Sequence, residues 1–175
     1  MDWKQRASVV TALTDRLNQR VGSCGDAHLQ KAVYVLQVVL QVQLEYRFTL
    51  DRDGPFSFEL SDDLALFRSR NLLRLEPQVA PYGPRYVVSD AGKALGPARD
   101  AERKIEFVAT KLAGFGSSGL ERIAIALFVT QSAGDDTTPE TRVRRFMQLK
   151  PQVQEKTARV AFDAADEIVR EGALL

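Results

Sequence analysis

A chain of 175 residues, 45% hydrophobic and 27% charged, holds enough apolar material for one core shared by two lobes and is far from a disordered composition. Its 24 basic and 23 acidic residues nearly cancel, and the parts up to and beyond Pro97 carry 12 against 11 and 12 against 12, so neither attracts polyanions by bulk field. A single cysteine excludes an internal disulfide, and the most apolar window, residues 33–44, is interrupted by Gln37, Gln41 and Gln43 and falls short of the roughly 20 residues a membrane span needs. With no charged-apolar-small leader at its start, the chain reads as cytoplasmic, without membrane contact.

In chain order, Val9, Val10, Leu13 and Leu17 predict a one-sided helix over residues 3–19. A loop over 21–27 follows, with Asp26 as the expected cap of a second helix, residues 28–44, whose only polar strip is Gln30, Gln37 and Gln41. Tyr46, Phe48 and Leu50 alternate with Arg47, Thr49 and Asp51, the period of a half-buried strand. Asp53, Gly54 and Pro55 then read as a turn into a third helix, with Ser57 as its cap, Leu60, Leu64 and Phe67 as its inner face and Asn71 as its left-handed stop. Two strands, 72–75 and 86–88, joined through Pro81, Tyr82, Gly83 and Pro84, predict a hairpin. A short helix begins at Ser89 and ends at Gly96 and Pro97, and about four more helices follow, one opened by Thr138 and Pro139.

This order predicts a mainly α fold with a small β hairpin. A winged-helix-like lobe over 1–97 and a helical lobe over 98–175 are expected to pack as one unit. The runs His28-Leu29-Gln30-Lys31-Ala32-Val33-Tyr34, Tyr46-Arg47-Phe48, Gly54-Pro55-Phe56-Ser57, Tyr86-Val87-Val88-Ser89, Gly92-Lys93-Ala94-Leu95 and Leu149-Lys150-Pro151 resemble the uncharacterised bacterial YwgA-like proteins. Those are similar in turn to the antitoxin-like Panacea domain. The resemblance implies a winged-helix-like lobe and a non-enzymatic, antitoxin-like, defence-associated or regulatory role, and it supplies no catalytic residues. Phe56 stands where such proteins usually place tyrosine, and Asn71 where related winged helices often place glycine.

Chemical motifs are sparse. Residues 114–119, Gly-Phe-Gly-Ser-Ser-Gly, match a dinucleotide fingerprint in letters, but the preceding residues 107–112 read as helix where the mechanism needs a strand, so the run reads as an inter-helix loop. Cys24, Asp26 and His28 are too few for a zinc site, and the adjacent pairs Asp62-Asp63 and Asp135-Asp136 diverge too much for acid/base work. Neither a cofactor nor a catalytic set is therefore expected.

Two contact surfaces remain. Gly54, Pro55, Phe56, Glu59, Asp62 and Asp63 form an acidic helix start that suits a protein partner better than phosphates, with the hairpin residues Arg74, Tyr82 and Arg85 beside it as further contact elements. Arg74, Arg85, Arg142, Arg144, Arg145 and Lys150 are the candidates for nucleic acid, because Arg142 and Arg145 share a helical face and the hairpin could act as a wing. The first reading is a non-enzymatic protein-binding module and the second a winged-helix DNA-binding regulator. By analogy, the C-terminal helices are expected to offer a surface for a second copy.

Overall fold

The computed structural model describes residues 2–22, 24–80, 82–97, 99–134 and 138–175. Pro81 of the expected hairpin connection and the pair Asp135-Asp136 lie outside them. The order is α1 (Trp3–Val21), α2 (Asp26–Val38), β1 (Thr49–Asp51), β2 (Gly54–Phe56), α3 (Phe58–Ser69), β3 (Leu73–Glu76), β4 (Arg85–Val88), α4 (Asp90–Leu95), α5 (Arg99–Leu112), α6 (Ser117–Ala133), α7 (Pro139–Leu149) and α8 (Glu155–Gly172). The protein is thus mainly helical, with two small antiparallel hairpins.

The expected hairpin forms as β3 against β4, pairing Leu73 with Val88 and Glu76 with Arg85. It docks on α1 through Asn18, whose amide nitrogen donates to the Tyr86 carbonyl at 2.8 Å and whose amide oxygen accepts from the Cys24 backbone at 3.1 Å. The anticipated start and stop of α3 are both present: Ser57 accepts from the Leu60 amide at 3.2 Å, and Asn71 adopts a left-handed φ of 55°. Thr138 caps α7 as its residue type predicts.

Three local expectations are corrected. The second helix ends at Val38, because Gln41 and Glu45 turn left-handed at φ 55° and 64° and residues 41–48 run as an irregular segment with Val42, Leu44 and Tyr46 inward. No ladder holds this segment; Gln37 does, donating to the Tyr46 carbonyl at 2.8 Å and accepting from the Tyr46 amide at 2.9 Å. Next, Gly54 and Pro55 are not the turn but strand β2, in register with Asp51 and Leu50, and the chain reverses through Arg52 and Asp53. Gly54 fits there because its φ is 103°, a conformation that side-chain-bearing residues rarely adopt. Finally, Asp26 opens α2 but does not cap it; Gly25 is the N-cap, and the Asp26 carboxylate accepts from the Tyr86 hydroxyl at 3.4 Å.

Leu29, Ala32, Val33 and Leu36 of α2 are fully buried, as its circumference predicts, and α2 packs against α1, α5, α6 and β2. Ile105, Val108, Ala109 and Leu112 of α5 join the same core as Val10, Leu13 and Leu17 of α1. Phe146 of α7 and Phe162 of α8 close the far end, edge to face at 5.9 Å between ring centres. The β1–β2 hairpin, gripped between α2 and α6, is the element around which the candidate sites gather.

Candidate functional site

Gln30 positions the start of α3. Completely buried on α2, its amide donates to the Ser57 carbonyl at 3.1 Å and to the Ser61 hydroxyl at 3.1 Å, and accepts from the Ser57 backbone at 2.9 Å. Every polar atom of that amide plane therefore fixes where β2 ends and α3 begins.

The acidic surface expected here is internal at one of its three carboxylates. Asp63 is buried, accepting from the Arg6 guanidinium at 2.6 Å and the Tyr46 hydroxyl at 2.8 Å, so it ties α1 and the extended segment to α3. Glu59 accepts from both the backbone and the guanidinium of Arg47, which hold its carboxyl below the usual carboxylate range. Gly54 and Pro55 are buried, which removes them from any contact surface. Of the six candidates, Asp62 stays exposed and Phe56 and Glu59 half-exposed.

Beside them stands an aromatic side chain that no motif in the sequence marks. Phe58 is 72% exposed, its ring edge to face with Phe56 at 5.1 Å between centres. Its signal was its register: it lies directly after the cap, outside the inward stripe of Leu60, Leu64 and Phe67. The exposed face of α3 thus consists of Phe58, Asp62, Ala65, Arg68 and Ser69.

The six basic candidates do not form one patch. Arg142 folds back, donating to both carboxylate oxygens of Asp166 at 2.8 and 2.7 Å and lying over the Phe162 ring at 4.8 Å. Lys150 is buried, bonded at 2.5 Å both to the Arg52 carbonyl at the β1–β2 turn and to Glu121 on α6. Arg85 pairs with Glu76 at 3.0 Å and donates to the Gly22 carbonyl at 2.9 Å. Arg74, Arg144 and Arg145 remain exposed. Helical spacing placed Arg142 and Arg145 together, but the acceptor on α8 draws one of them inward.

On the α6 side of the hairpin, Ala27, His28, Lys31, Asp53, Ser117, Leu120 and Glu121 line a cavity of about 230 Å³. Lys31 is only 4% exposed, and burial pushes its ammonium below its ordinary value against the opposing pull of Asp53, Glu121, Asp26 and Asp51. His28 is also shifted down by burial, and its Nε2 is buried without a hydrogen-bond partner among the described residues. Cys24, adjacent in sequence, belongs to the core instead, and burial pushes its thiol up to about 12.

Among the described residues no helix is long and apolar enough to cross a membrane. No family model matches the chain, and none of the curated proteins is significantly similar to it.

Proposed function

We propose that the protein acts without catalysis, by docking another protein on the outer face of the β2–α3 junction, in the antitoxin-like, defence-associated or regulatory class that the YwgA-like resemblance suggests. The observation that carries this reading is Phe58, a large aromatic held 72% exposed on a rigid helix start. Aromatic anchors beside a polar rim are what protein interfaces concentrate their affinity in, and here Phe56 braces the ring while Asp62 lies one turn further along. The Gln30 clamp fixes that surface in advance, which lowers the ordering cost of binding. Phe58→Asp should keep the fold, since the side chain is solvated, yet abolish capture of the partner in a crosslinking pull-down from cells. Unchanged capture would remove the junction from the interface.

A second reading, a winged-helix DNA-binding regulator, gains from one observation. Arg47 and Arg6 pair with Glu59 and Asp63, so α3 presents Asp62 as its unpaired outward acid, with Arg68 further along. Fluorescence anisotropy with duplex DNA at low salt tests it. Binding that weakens steeply with salt and is reduced by Arg68→Ala supports it, and no binding at low salt removes it.

A further inference from the structure

Another cavity lies away from the β2–α3 junction, where α1, the irregular segment after α2, the end of α4 and the start of α5 meet. Its volume is about 450 Å³, within the roughly 300 to 1,000 Å³ of pockets that hold small organic ligands. Val9, Val42 and Ala101 line it and are buried, so they form an apolar floor. Leu95 is an apolar wall still 40% exposed, surface that the hydrocarbon part of a ligand would cover.

Internal hydrogen bonds set these walls before anything binds. The Ser8 hydroxyl donates to the Gly96 carbonyl, which ties the end of α4 to α1. Gln41 keeps its left-handed backbone while its side-chain amide donates to the Val38 carbonyl at 2.7 Å, and Val42 follows it inward. A cavity shaped in this way needs little ordering when a ligand enters.

The charged groups around the floor are unequal. Lys4 in the first turns of α1 and Lys104 on α5 line the cavity from two helices, and neither has an ion-pair partner among the described residues. Lys104 is half-buried, whereas Lys4 is exposed with its ammonium 5.9 Å from the Trp3 ring centre. Asp100 is the one acid among the lining residues, and it lies in the first turn of α5, where it complements the positive end of that helix. Two ammoniums against one carboxylate leave an excess of positive charge beside apolar surface. A neutral or cationic molecule of the same shape would use the floor and gain nothing from that charge.

We propose that this cavity binds a small amphipathic acid, its hydrocarbon body on Val9, Val42, Leu95 and Ala101 and its carboxylate held by Lys4 and Lys104. The site is separate from Phe58 and stands whether or not that residue docks a partner.

Octanoate, octanol and octylamine share one hydrocarbon chain and differ in charge. Each is titrated into the full-length protein at constant ionic strength and followed by amide NMR shifts. Octanoate is expected to saturate, with the shifts gathered at residues 4–9, 41–43 and 100–104, and to bind about tenfold or more tighter than the other two. That ratio is what one charge-assisted hydrogen bond corresponds to. Lys4→Met combined with Lys104→Met keeps the apolar stems and removes the charges, so octanoate should fall to the affinity of octanol. Leu95→Glu, at a position exposed enough to leave the fold intact, should also weaken octanoate but not octylamine. Octanol or octylamine binding as tightly as octanoate would overturn the proposal. So would shifts that never saturate or spread over the surface, or an octanoate affinity unchanged in both variants.

Discussion

Buried amides do much of the local specification in this chain, and they were the residues least open to reading. Gln30 and Gln37 look in sequence like a polar strip on an otherwise apolar helix, the pattern of a face turned to water. In the fold both are clamps whose partners are backbone groups 27 and 9 residues away, and no periodicity announces a non-local backbone acceptor. Asp63 misled in the same way, since its partners Arg6 and Tyr46 reach it from two other segments. His28 was legible as a residue without helpers for metal chemistry, but the unmet Nε2 needs α6 to be in place before it becomes visible. That burial has a measurable consequence. With its folded value pushed below the ordinary 6.5 or so, His28 stays neutral in the fold while the unfolded chain takes up a proton. Its contribution is fully present above about pH 7 and is lost as pH falls through about 6.5 towards the folded value, at up to about 1.4 kcal/mol per pH unit. Lys31, Asp53 and Glu121 line the same cavity, and His28 is the only histidine in the chain. Urea midpoints of wild type should therefore fall between about pH 7.5 and about pH 5.5 more than those of His28→Gln. Equal falls in the two proteins would show that His28 is not held neutral.

Among the elements, helices with one apolar stripe and a cap were read nearly to the residue. α3 is the clearest, because Ser57, the Leu60-Leu64-Phe67 stripe and Asn71 all act locally. The region after α2 was not, since two periods compete there: Leu40 and Leu44 continue a helical spacing, while Val42, Leu44, Tyr46 and Phe48 alternate. The alternation prevails in burial because Gln37 supplies this irregular segment with hydrogen bonds that no ladder provides. The first hairpin was hidden for a related reason: Gly54 and Pro55 are turn residues by type, and their strand register depends on packing against Lys31 and Ile125. Helix α4 gives the sharpest test of how tightly elements approach. A Cβ on Gly92 would stand 2.4 Å from the Leu72 carbonyl oxygen and 2.8 Å from a Val88 methyl. Alanine would gain about 1 kcal/mol of helix propensity. Against that, overpacking onto backbone costs about 3 kcal/mol. The clash prevails, so Gly92→Ala should destabilise the protein by about 2 kcal/mol in urea unfolding, separating α4 from the β3–β4 hairpin. A neutral or stabilising result would mean that α4 does not pack this closely on Leu72.

In the whole molecule, the parts before and after Pro97 share one core cluster. Helix α5, the first element beyond it, buries Ile105, Val108, Ala109 and Leu112 in the cluster built by α1 and α2, while Arg20 of α1 is ion-paired with Glu106. Lys150 adds a polar tie across 98 residues, from the end of α7 to the Arg52 carbonyl. Removing 98–175 would therefore strip apolar cover from α1 and α2 rather than release a finished unit, and the two parts should lose structure together. Trp3 makes this testable without a label, being the single tryptophan, seated at the start of α1 beneath the Arg70 guanidinium at 4.2 Å. Its fluorescence reports the N-terminal part, whereas far-UV circular dichroism reports all the helices, including α5 to α8. The two urea transitions are expected to coincide in midpoint and steepness. Lys150→Met should shift both to lower urea by the same amount, because it removes the tie to the Arg52 carbonyl across the two parts and leaves Glu121 without its ion-pair partner. A fluorescence change that precedes or trails the dichroism change would show that α5 to α8 fold independently of α1 to α4, and the cavity between α2 and α6 would then open before either part unfolds.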